Sequence, residues 1–203
     1  MTKIKLCGLT RNCDIEWANE LKPEYIGFVF FSKSIRNVGY DKAQRLRENL
    51  DDSITPVGVF VNEKIENIDY LVQNNIIGMV QLHGSENNEY IKQLKNQVSC
   101  PIIQAFRVES EADIKKAENS CADYIMLDSG GGTGQSFNHK LITGINREFF
   151  LAGGLDSNNV QKAIMNCRPY AVDASSSLET DGVKDRAKMA EFVKAVRNRK
   201  EWL

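Results

Sequence analysis

The feature that most constrains the fold is a pattern that recurs along the chain: a short apolar run, a glycine or polar turn, and then a charged amphipathic segment. Runs such as 27–30 and 57–61 are apolar on both faces, which is typical of buried parallel strands. The predicted strands span residues 3–7, 25–30, 56–61, 77–82, 101–106, 123–128, 149–152 and 170–174. The predicted helices lie near 11–21, 41–50, 64–74, 86–97, 110–119, 138–146, 157–166 and 185–199. Eight such units predict an α/β fold, a closed (β/α)8 TIM barrel, and the main alternative is an open doubly wound sheet.

Length and composition fit one compact enzyme-sized domain over residues 1–203. The formal net charge is -1, which gives no sign of a nucleic-acid partner but still allows a small phosphorylated substrate. The five cysteines are an odd number without a CxxC pair, which favours a reducing compartment. No apolar run approaches the ~20 residues that span a bilayer, and no leader precedes the first strand. We therefore expect a cytoplasmic protein without a membrane partner.

The first strand ends in a thiol that is a candidate catalytic group. Ile4 and Leu6 alternate with lysines, Gly8 permits a sharp turn after Cys7, and Thr10 is positioned to cap the next helix. Catalytic groups of parallel α/β proteins lie at the carboxyl ends of strands. A buried structural cysteine is the alternative for Cys7, and as a base it would need a pKa below the free value of ~8.5.

Asp128 ends the sixth predicted strand and is the candidate general acid. That role requires a proton held near neutral pH, so burial or substrate binding would have to raise its pKa above ~3.9. The alternative is an aspartate that only caps the following turn. Because Cys7 and Asp128 come from different strands of one predicted rim, an acid and a base would face the same ligand.

Glycines and serines at three strand ends predict a phosphate site. Gly153 and Gly154 follow the seventh strand, and Ser175 and Ser176 follow the eighth, where barrels commonly bind phosphate through backbone N–H groups. The run 130–134 has four glycines, and we expect Gly132 and Gly134 to close over the ligand. A plain turn and a plain surface loop are the respective alternatives.

Three further rim residues are candidate binding groups. Arg36 follows an irregular loop after the second strand, where a guanidinium is suited to bidentate capture of a carboxylate. Gln81 and His83 end the fourth strand and are expected to line the site without being catalytic. The sequence shows no metal-ligand spacing, so no metal is expected, and it contains no GxGxxG or P-loop motif.

With these residues in place, the chain resembles the phosphoribosylanthranilate isomerase family over nearly its whole length. The resemblance is carried by residues 5–10 (KLCGLT), 27–30 (GFVF), 34–36 (SIR), 81–84 (QLHG), 128–129 (DS), 132–134 (GTG), 151–155 (LAGGL), 159–160 (NV), 172–176 (VDASS) and 182–185 (GVKD). Each segment is short, but their order and spacing together are specific.

The resemblance implies a complete reaction in tryptophan biosynthesis. The substrate would be N-(5-phosphoribosyl)anthranilate and the product 1-(2-carboxyphenylamino)-1-deoxyribulose 5-phosphate, formed by an Amadori rearrangement. Asp128 would protonate the ribose ring oxygen, the Cys7 thiolate would remove the C2 proton, and Arg36 would hold the anthranilate carboxylate. Loops after strands six, seven and eight would hold the phosphate. Such acid–base chemistry needs no metal or organic cofactor, and both a monomer and a homodimer stay open.

The chain departs from the family pattern at three places. Ser177 stands where glycine is usual beside the phosphate, so a side chain enters the loop. Asn138 and His139 replace a usual Asp-Trp pair after the glycine-rich run, and Ile35 replaces a usual proline before Arg36. None of these departures affects Cys7 or Asp128.

Other functions compete with this interpretation. A related barrel isomerase of the histidine pathway typically has aspartate where this chain has Cys7. An indole-type synthase barrel usually relies on catalytic lysines and an amino-terminal extension. A non-catalytic phosphate-binding barrel would need neither Cys7 nor Asp128.

Overall fold

The described residues form a closed parallel barrel surrounded by helices. The computed structural model describes residues 1–128, 142 and 145–198. Its barrel strands are β1 (Lys3–Cys7), β2 (Tyr25–Phe30), β3 (Thr55–Phe60), β4 (Met79–Leu82), β5 (Ile102–Arg107), β6 (Tyr124–Asp128), β7 (Phe149–Ala152) and β8 (Ala171–Ala174). They pair in chain order, and β8 closes on β1. The predicted TIM barrel is confirmed, and the open sheet was the wrong alternative.

Helices follow most of the strands. They are α1 (Asn12–Leu21), α2 (Tyr40–Glu48), α3 (Ile65–Gln73), α4 (Asn88–Gln97), α5 (Glu111–Glu118), α6 (Val160–Cys167) and α7 (Arg186–Arg197). Each buries one apolar stripe, such as Ile91 and Leu94 of α4, against the barrel, because residues three apart share a helix face. Among the described residues, no helix is long and apolar enough to cross a membrane.

Strand β1 shows how the barrel separates two cores. Ile4 and Leu6 belong to the large outer cluster between strands and helices. The alternate residues Lys5 and Cys7 face the barrel interior, because successive side chains of a strand point to opposite faces. Both are buried there. A smaller apolar cluster, which includes Met126 and Phe150, fills the lower barrel interior.

Side-chain hydrogen bonds determine where α1 and α6 begin, and both helices begin later than the sequence predicts. Thr10 does not cap α1; Arg11 is the N-cap residue, and the Asp14 carboxylate accepts hydrogen bonds from the backbone N–H groups of Thr10 and Arg11, both at 2.9 Å. Helix α6 begins at Val160, three residues later than predicted, because the Asp156 side chain first accepts the amides of a turn. The predicted helix near 138–146 lies mostly outside the described residues.

An unpredicted hairpin follows β8. A short 3-10 turn over Ser176–Leu178 leads into β9 (Glu179–Thr180), which pairs antiparallel with β10 (Val183–Lys184). The two turn residues have positive φ, 52° at Asp181 and 78° at Gly182. An Asp-Gly pair is a strong hairpin signal for this reason, so the sequence contained the evidence for it.

Candidate active site

A cavity of about 300 Å³ opens at the carboxyl ends of the barrel strands. It brings together every predicted site residue that the structure describes. These are Cys7, Arg36, Gln81, His83, Asp128, Gly153, Gly154, Ser175 and Ser176. The predicted ligand-gripping glycines Gly132 and Gly134 lie outside the described residues, as do Asn138 and His139.

Cys7 is buried in the wall of this cavity at the end of β1. Its thiol fits only because its neighbour on β2 is a glycine: a Cβ at Gly27 would lie 2.6 Å from Cys7 Sγ. Burial raises the pKa of Cys7 above its usual value, while the ammonium groups of Lys5 and Lys184 act in the opposite direction. The thiol is therefore a buried group whose ionisation depends on neighbouring cations.

A buried ion pair lies directly beneath Cys7. Lys5 Nζ is 2.8 Å from Asp173 Oδ1, and the two residues are register partners on β1 and β8. Complete burial lowers the pKa of Lys5, but attraction to Asp173 and Cys7 and hydrogen bonds with them raise it above its usual value, which favours the ammonium form. Lys5 was not predicted as a site residue, although its spacing of two from Cys7 on one strand places both on the same face.

Asp128 faces the cavity from β6, three strands around the barrel from Cys7. Its Oδ2 lies 3.6 Å from His83 Nε2. On the other side of the imidazole ring, Gln81 Nε2 is 2.9 Å from His83 Nδ1. A donating Gln81 amide leaves the proton of neutral His83 on Nε2, toward Asp128. His83 therefore lines the cavity beside the Asp128 carboxylate, at a separation longer than a hydrogen bond.

Gln81 also presents an unused acceptor. It is almost fully buried, its Nε2 additionally contacts Met126 Sδ at 3.3 Å, and its Oε1 has no hydrogen-bond partner within the described part of the chain. A buried acceptor without a partner is costly, which is why such groups concentrate at ligand sites.

Arg36 reaches the cavity from the loop after β2 and is held from behind by Glu179. Arg36 Nε and Nη2 each donate to a Glu179 carboxylate oxygen at 2.6 Å, and Lys184 binds the same carboxylate. Burial alone would raise the pKa of Glu179, but the hydrogen bonds from Arg36 and Lys184 lower it below its usual value. The stem of Arg36 crosses Gly8, where a Cβ would lie 2.5 Å from Arg36 Cδ. Sequence reasoning assigned no role to Glu179 or Lys184.

The loops after β7 and β8 form a cradle of backbone groups. Gly153 and Gly154 both have positive φ, 94° and 63°, a conformation that L side chains rarely adopt. No described atom lies within 4 Å of a Cβ built at Gly154, so the backbone there is open to a ligand. Backbone N–H groups in such turns make anion-binding concavities.

Ser177, the departure from the family pattern, joins the two loops of this cradle. Its hydroxyl donates to the Leu155 carbonyl at 2.5 Å. Ser175 bonds elsewhere, donating its hydroxyl to the Cys7 carbonyl at 3.0 Å. The added side chain at 177 therefore ties the loops after β7 and β8 together, and its hydroxyl proton is committed within the protein.

The cavity brings together a thiol, a carboxylate, a guanidinium and the glycine- and serine-containing loops after β7 and β8. Within residues 1–128, 142 and 145–198, no three His, Cys, Asp or Glu side chains are grouped to hold a metal ion. The groups present suit proton transfer on a small ligand that carries a carboxylate at one end and a phosphate at the other.

Comparison with known proteins gives one family. Residues 4–195 match the family model of N-(5'-phosphoribosyl)anthranilate isomerase. A relative of that name from Endomicrobium trichonymphae is 43% identical, over 98% of this chain and 100% of its own.

Two solved structures are similar in fold as well as in sequence. One is a phosphoribosylanthranilate isomerase in complex with reduced 1-(o-carboxyphenylamino)-1-deoxyribulose 5-phosphate, with a TM-score of 0.87 and 33% identity, covering 97% of this chain and 99% of its own. The other is a monomeric form of the dimeric enzyme from Thermotoga maritima, with a TM-score of 0.87, 34% identity and the same coverage. The chain belongs to the N-(5'-phosphoribosyl)anthranilate isomerase family.

Proposed function

We propose that this chain isomerises N-(5-phosphoribosyl)anthranilate to 1-(2-carboxyphenylamino)-1-deoxyribulose 5-phosphate, with Cys7 as the general base and Asp128 as the general acid. The observation that carries the assignment is the pair itself: a buried thiol and a carboxylate face one cavity from β1 and β6. Family membership supports the reaction, and the geometry supports the choice of residues. The match sets aside the histidine-pathway isomerase and the indole-type synthase.

The proposed reaction moves protons at two positions of the ribose. Asp128 gives its proton to the ring oxygen, the C1–O bond breaks, and the nitrogen lone pair forms a protonated Schiff base at C1. The Cys7 thiolate then removes the proton at C2, and the C2–H electron pair forms a C1–C2 double bond that neutralises the iminium nitrogen. The resulting enol loses its O–H proton and takes up a proton at C1, which gives the ketone, and Cys7 and Asp128 regain their starting states by proton exchange with solvent. The catalytic groups only donate and accept protons, so the proposed reaction calls for no metal or organic cofactor.

The state of Cys7 decides the rate of the second step. Only the thiolate accepts a proton, and each unit of pKa above the working pH lowers the thiolate fraction about tenfold. Burial raises the Cys7 pKa, and Lys5 lies beneath the thiol as a fully buried cation. We assign to Lys5 the electrostatic support of the thiolate, a role that Lys184 shares from the hairpin side.

Two anion sites would hold the ends of the substrate. Arg36 would bind the anthranilate carboxylate with the N–H donors that Glu179 leaves unused, since a guanidinium has five. The phosphate would bind the loops after β7 and β8 at Gly153, Gly154, Ser175 and Ser176. Gly132 and Gly134, outside the described residues, stay predicted as further phosphate contacts.

The proposed location and assembly rest on the cysteines and on a solved relative. All five cysteines are free thiols, as a reducing compartment requires, and this supports a cytoplasmic location. A solved relative is described as dimeric, and monomers of it have been made. Both a monomer and a homodimer are therefore compatible with the family.

The test is the loss of anthranilate-type fluorescence when the purified chain meets freshly made phosphoribosylanthranilate without added metal or cofactor. We expect rapid loss with the natural chain, none above background with Cys7→Ala, and an unchanged rate with the control Cys121→Ala, whose thiol lies outside the cavity. Binding without turnover by the natural chain would support the non-catalytic alternative. Full activity of Cys7→Ala would remove Cys7 from the mechanism.

A further inference from the structure

The hairpin of β9 and β10 carries two buried charges, of which the proposed reaction uses only Lys184, near Cys7. Glu179 and Lys184 are register partners across it, and their side chains are only 7% and 1% exposed. Neither residue is among the described residues that line the cavity. Buried charges are costly unless they are paired and hydrogen-bonded, so a pair kept beside a binding site calls for a physical explanation.

The first connection runs from the hairpin to the carboxylate-binding end of the site. The Glu179 carboxylate accepts two parallel hydrogen bonds of 2.6 Å from the Arg36 guanidinium. This bidentate geometry fixes the orientation of the guanidinium plane. Arg36 is 25% exposed and lines the cavity, whereas Glu179 lies behind it. The guanidinium therefore keeps its outer edge toward the cavity while its inner edge is fixed.

The second connection runs from the hairpin to the phosphate-binding end. Lys184 Nζ donates to the Ser175 backbone carbonyl at 3.0 Å and also binds the Glu179 carboxylate. Ser175 opens the loop after β8 and is itself tied to the Cys7 carbonyl. The buried Lys184 ammonium group thus links Glu179, the counter-ion of Arg36, to the loop after β8.

We propose that the Glu179–Lys184 pair positions the two anion-binding ends of the site relative to each other, so that Glu179 sets the preference for phosphorylated substrates that also carry a carboxylate at a fixed distance. The inference rests on the proposed function and deepens it. Glu179 is then a positioning residue that acts through Arg36. Without it, Arg36 would sample many rotamers, and the ordering cost would fall on substrate binding.

A competing role for Glu179 makes the opposite prediction. A carboxylate that occupies Arg36 would resemble the substrate's own carboxylate and would inhibit binding until displaced. The burial of Glu179 behind the guanidinium, outside the cavity lining, favours positioning over competition. The two roles differ in the sign of the KM change when Glu179 is neutralised.

The test compares two substrates in Glu179→Gln: phosphoribosylanthranilate and its aniline analogue, which lacks the carboxylate. We expect KM for the anthranilate substrate to rise about tenfold, with kcat changed by less than about threefold. KM for the aniline analogue and inhibition by inorganic phosphate should stay unchanged. The matched control is Glu20→Gln, which breaks a surface ion pair with Arg186 at 2.6 Å, far from the cavity, and should alter none of these values.

The outcomes separate this proposal from the proposed function. If the natural chain does not turn over phosphoribosylanthranilate, the proposed function fails before any variant is compared. If it does, a lower KM for the anthranilate substrate in Glu179→Gln supports competition. Equal losses of activity with both substrates indicate a merely structural role. Either result overturns the positioning role. If Glu179→Gln does not fold by circular dichroism, Glu179→Asp replaces it. That change keeps the charge but shortens the reach, and an unchanged preference between the two substrates would overturn the proposal.

Discussion

The two mouths of this barrel are both lined by polar side chains, yet they have opposite characters. At the amino-terminal mouth, Lys3 Nζ donates to the Tyr170 hydroxyl at 2.5 Å, and that hydroxyl also lies 3.0 Å from Tyr25 and 3.4 Å from Tyr124. The rings of Tyr124 and Tyr170 stack with centroids 4.9 Å apart and close the mouth. At the carboxyl mouth the polar groups surround a cavity instead.

The two mouths differ in whether their polar side chains form hydrogen bonds with one another. The tyrosine cluster is neutral apart from Lys3, and its hydroxyls bond mutually, so it closes one end of the barrel without needing a ligand. The carboxyl mouth holds the Cys7 thiol, the Asp128 carboxylate and the Arg36 guanidinium around an open cavity. One strand, β1, contributes to both ends and to the middle through Lys3, Lys5 and Cys7. Alternation along β1 therefore places three polar residues on one face of the strand. Lys3 bonds to a tyrosine at the closed mouth, Lys5 pairs with Asp173 inside the barrel, and Cys7 faces the open cavity.

The largest expected effect of a single substitution is at Asp128, in the carboxyl mouth. Replacing it with asparagine keeps the shape but removes the proton donor, and general acid catalysis typically contributes about 10²- to 10⁴-fold. We expect kcat in Asp128→Asn to fall by about 10³-fold, measured by the fluorescence assay, with the substrate still bound. A fall of less than about tenfold would assign the acid to another group, and His83 at 3.6 Å would be the first to test.

Lys5 lies between the two mouths, beneath Cys7, and we expect the next largest effect there. Cys7 is faced by Lys5 on β1, Asp173 on β8, Lys184 on β10 and Arg36 from the loop after β2. A cation favours the thiolate, so removing Lys5 must raise the Cys7 pKa. We therefore expect the rising limb of kcat/KM against pH to move upward in Lys5→Met, with a loss of about tenfold or more at neutral pH.

Lys3→Met is the matched control for Lys5→Met, since Lys3 lies on the same face of the same strand. It should leave the pH profile unchanged. Alkylation of Cys7 by iodoacetamide, followed against pH in both variants, reports the thiol pKa without relying on turnover. A limb that stays in place in Lys5→Met, despite a folded protein, would contradict the electrostatic role of Lys5.

The smallest expected effect is at the closed mouth. Tyr170→Phe removes the hydroxyl that Lys3, Tyr25 and Tyr124 share but keeps the ring that stacks on Tyr124. The hydrogen bond with Tyr170 is the largest of the effects that raise the Tyr124 pKa to about 12. We expect the free energy of unfolding in urea to fall by about 1 kcal/mol and kcat to be unchanged. A loss of kcat without a loss of stability would show that the two mouths are coupled.

Much of the site follows from the order of residues along the chain. Residues at the carboxyl ends of parallel strands converge on one rim, so residue order alone assigns Cys7, Asp128, Gly153 and Ser175 to one cavity. The role proposed for each of these residues follows from the chemistry of its own side chain or backbone. The hairpin at 179–184 was also within reach through its Asp-Gly pair, but the sequence analysis did not use that signal.

The barrel and its rim could be predicted from residue order, because both depend on periodicity and on strand ends, which are local properties. The pairing of charges across distant segments could not be predicted and is seen only in the folded chain. Lys5 meets Asp173, 168 positions later, and Arg36 meets Glu179, 143 positions later. These contacts depend on barrel closure and on register, so no local pattern encodes them. The proposed support of the Cys7 thiolate and the proposed positioning of Arg36 both depend on these contacts.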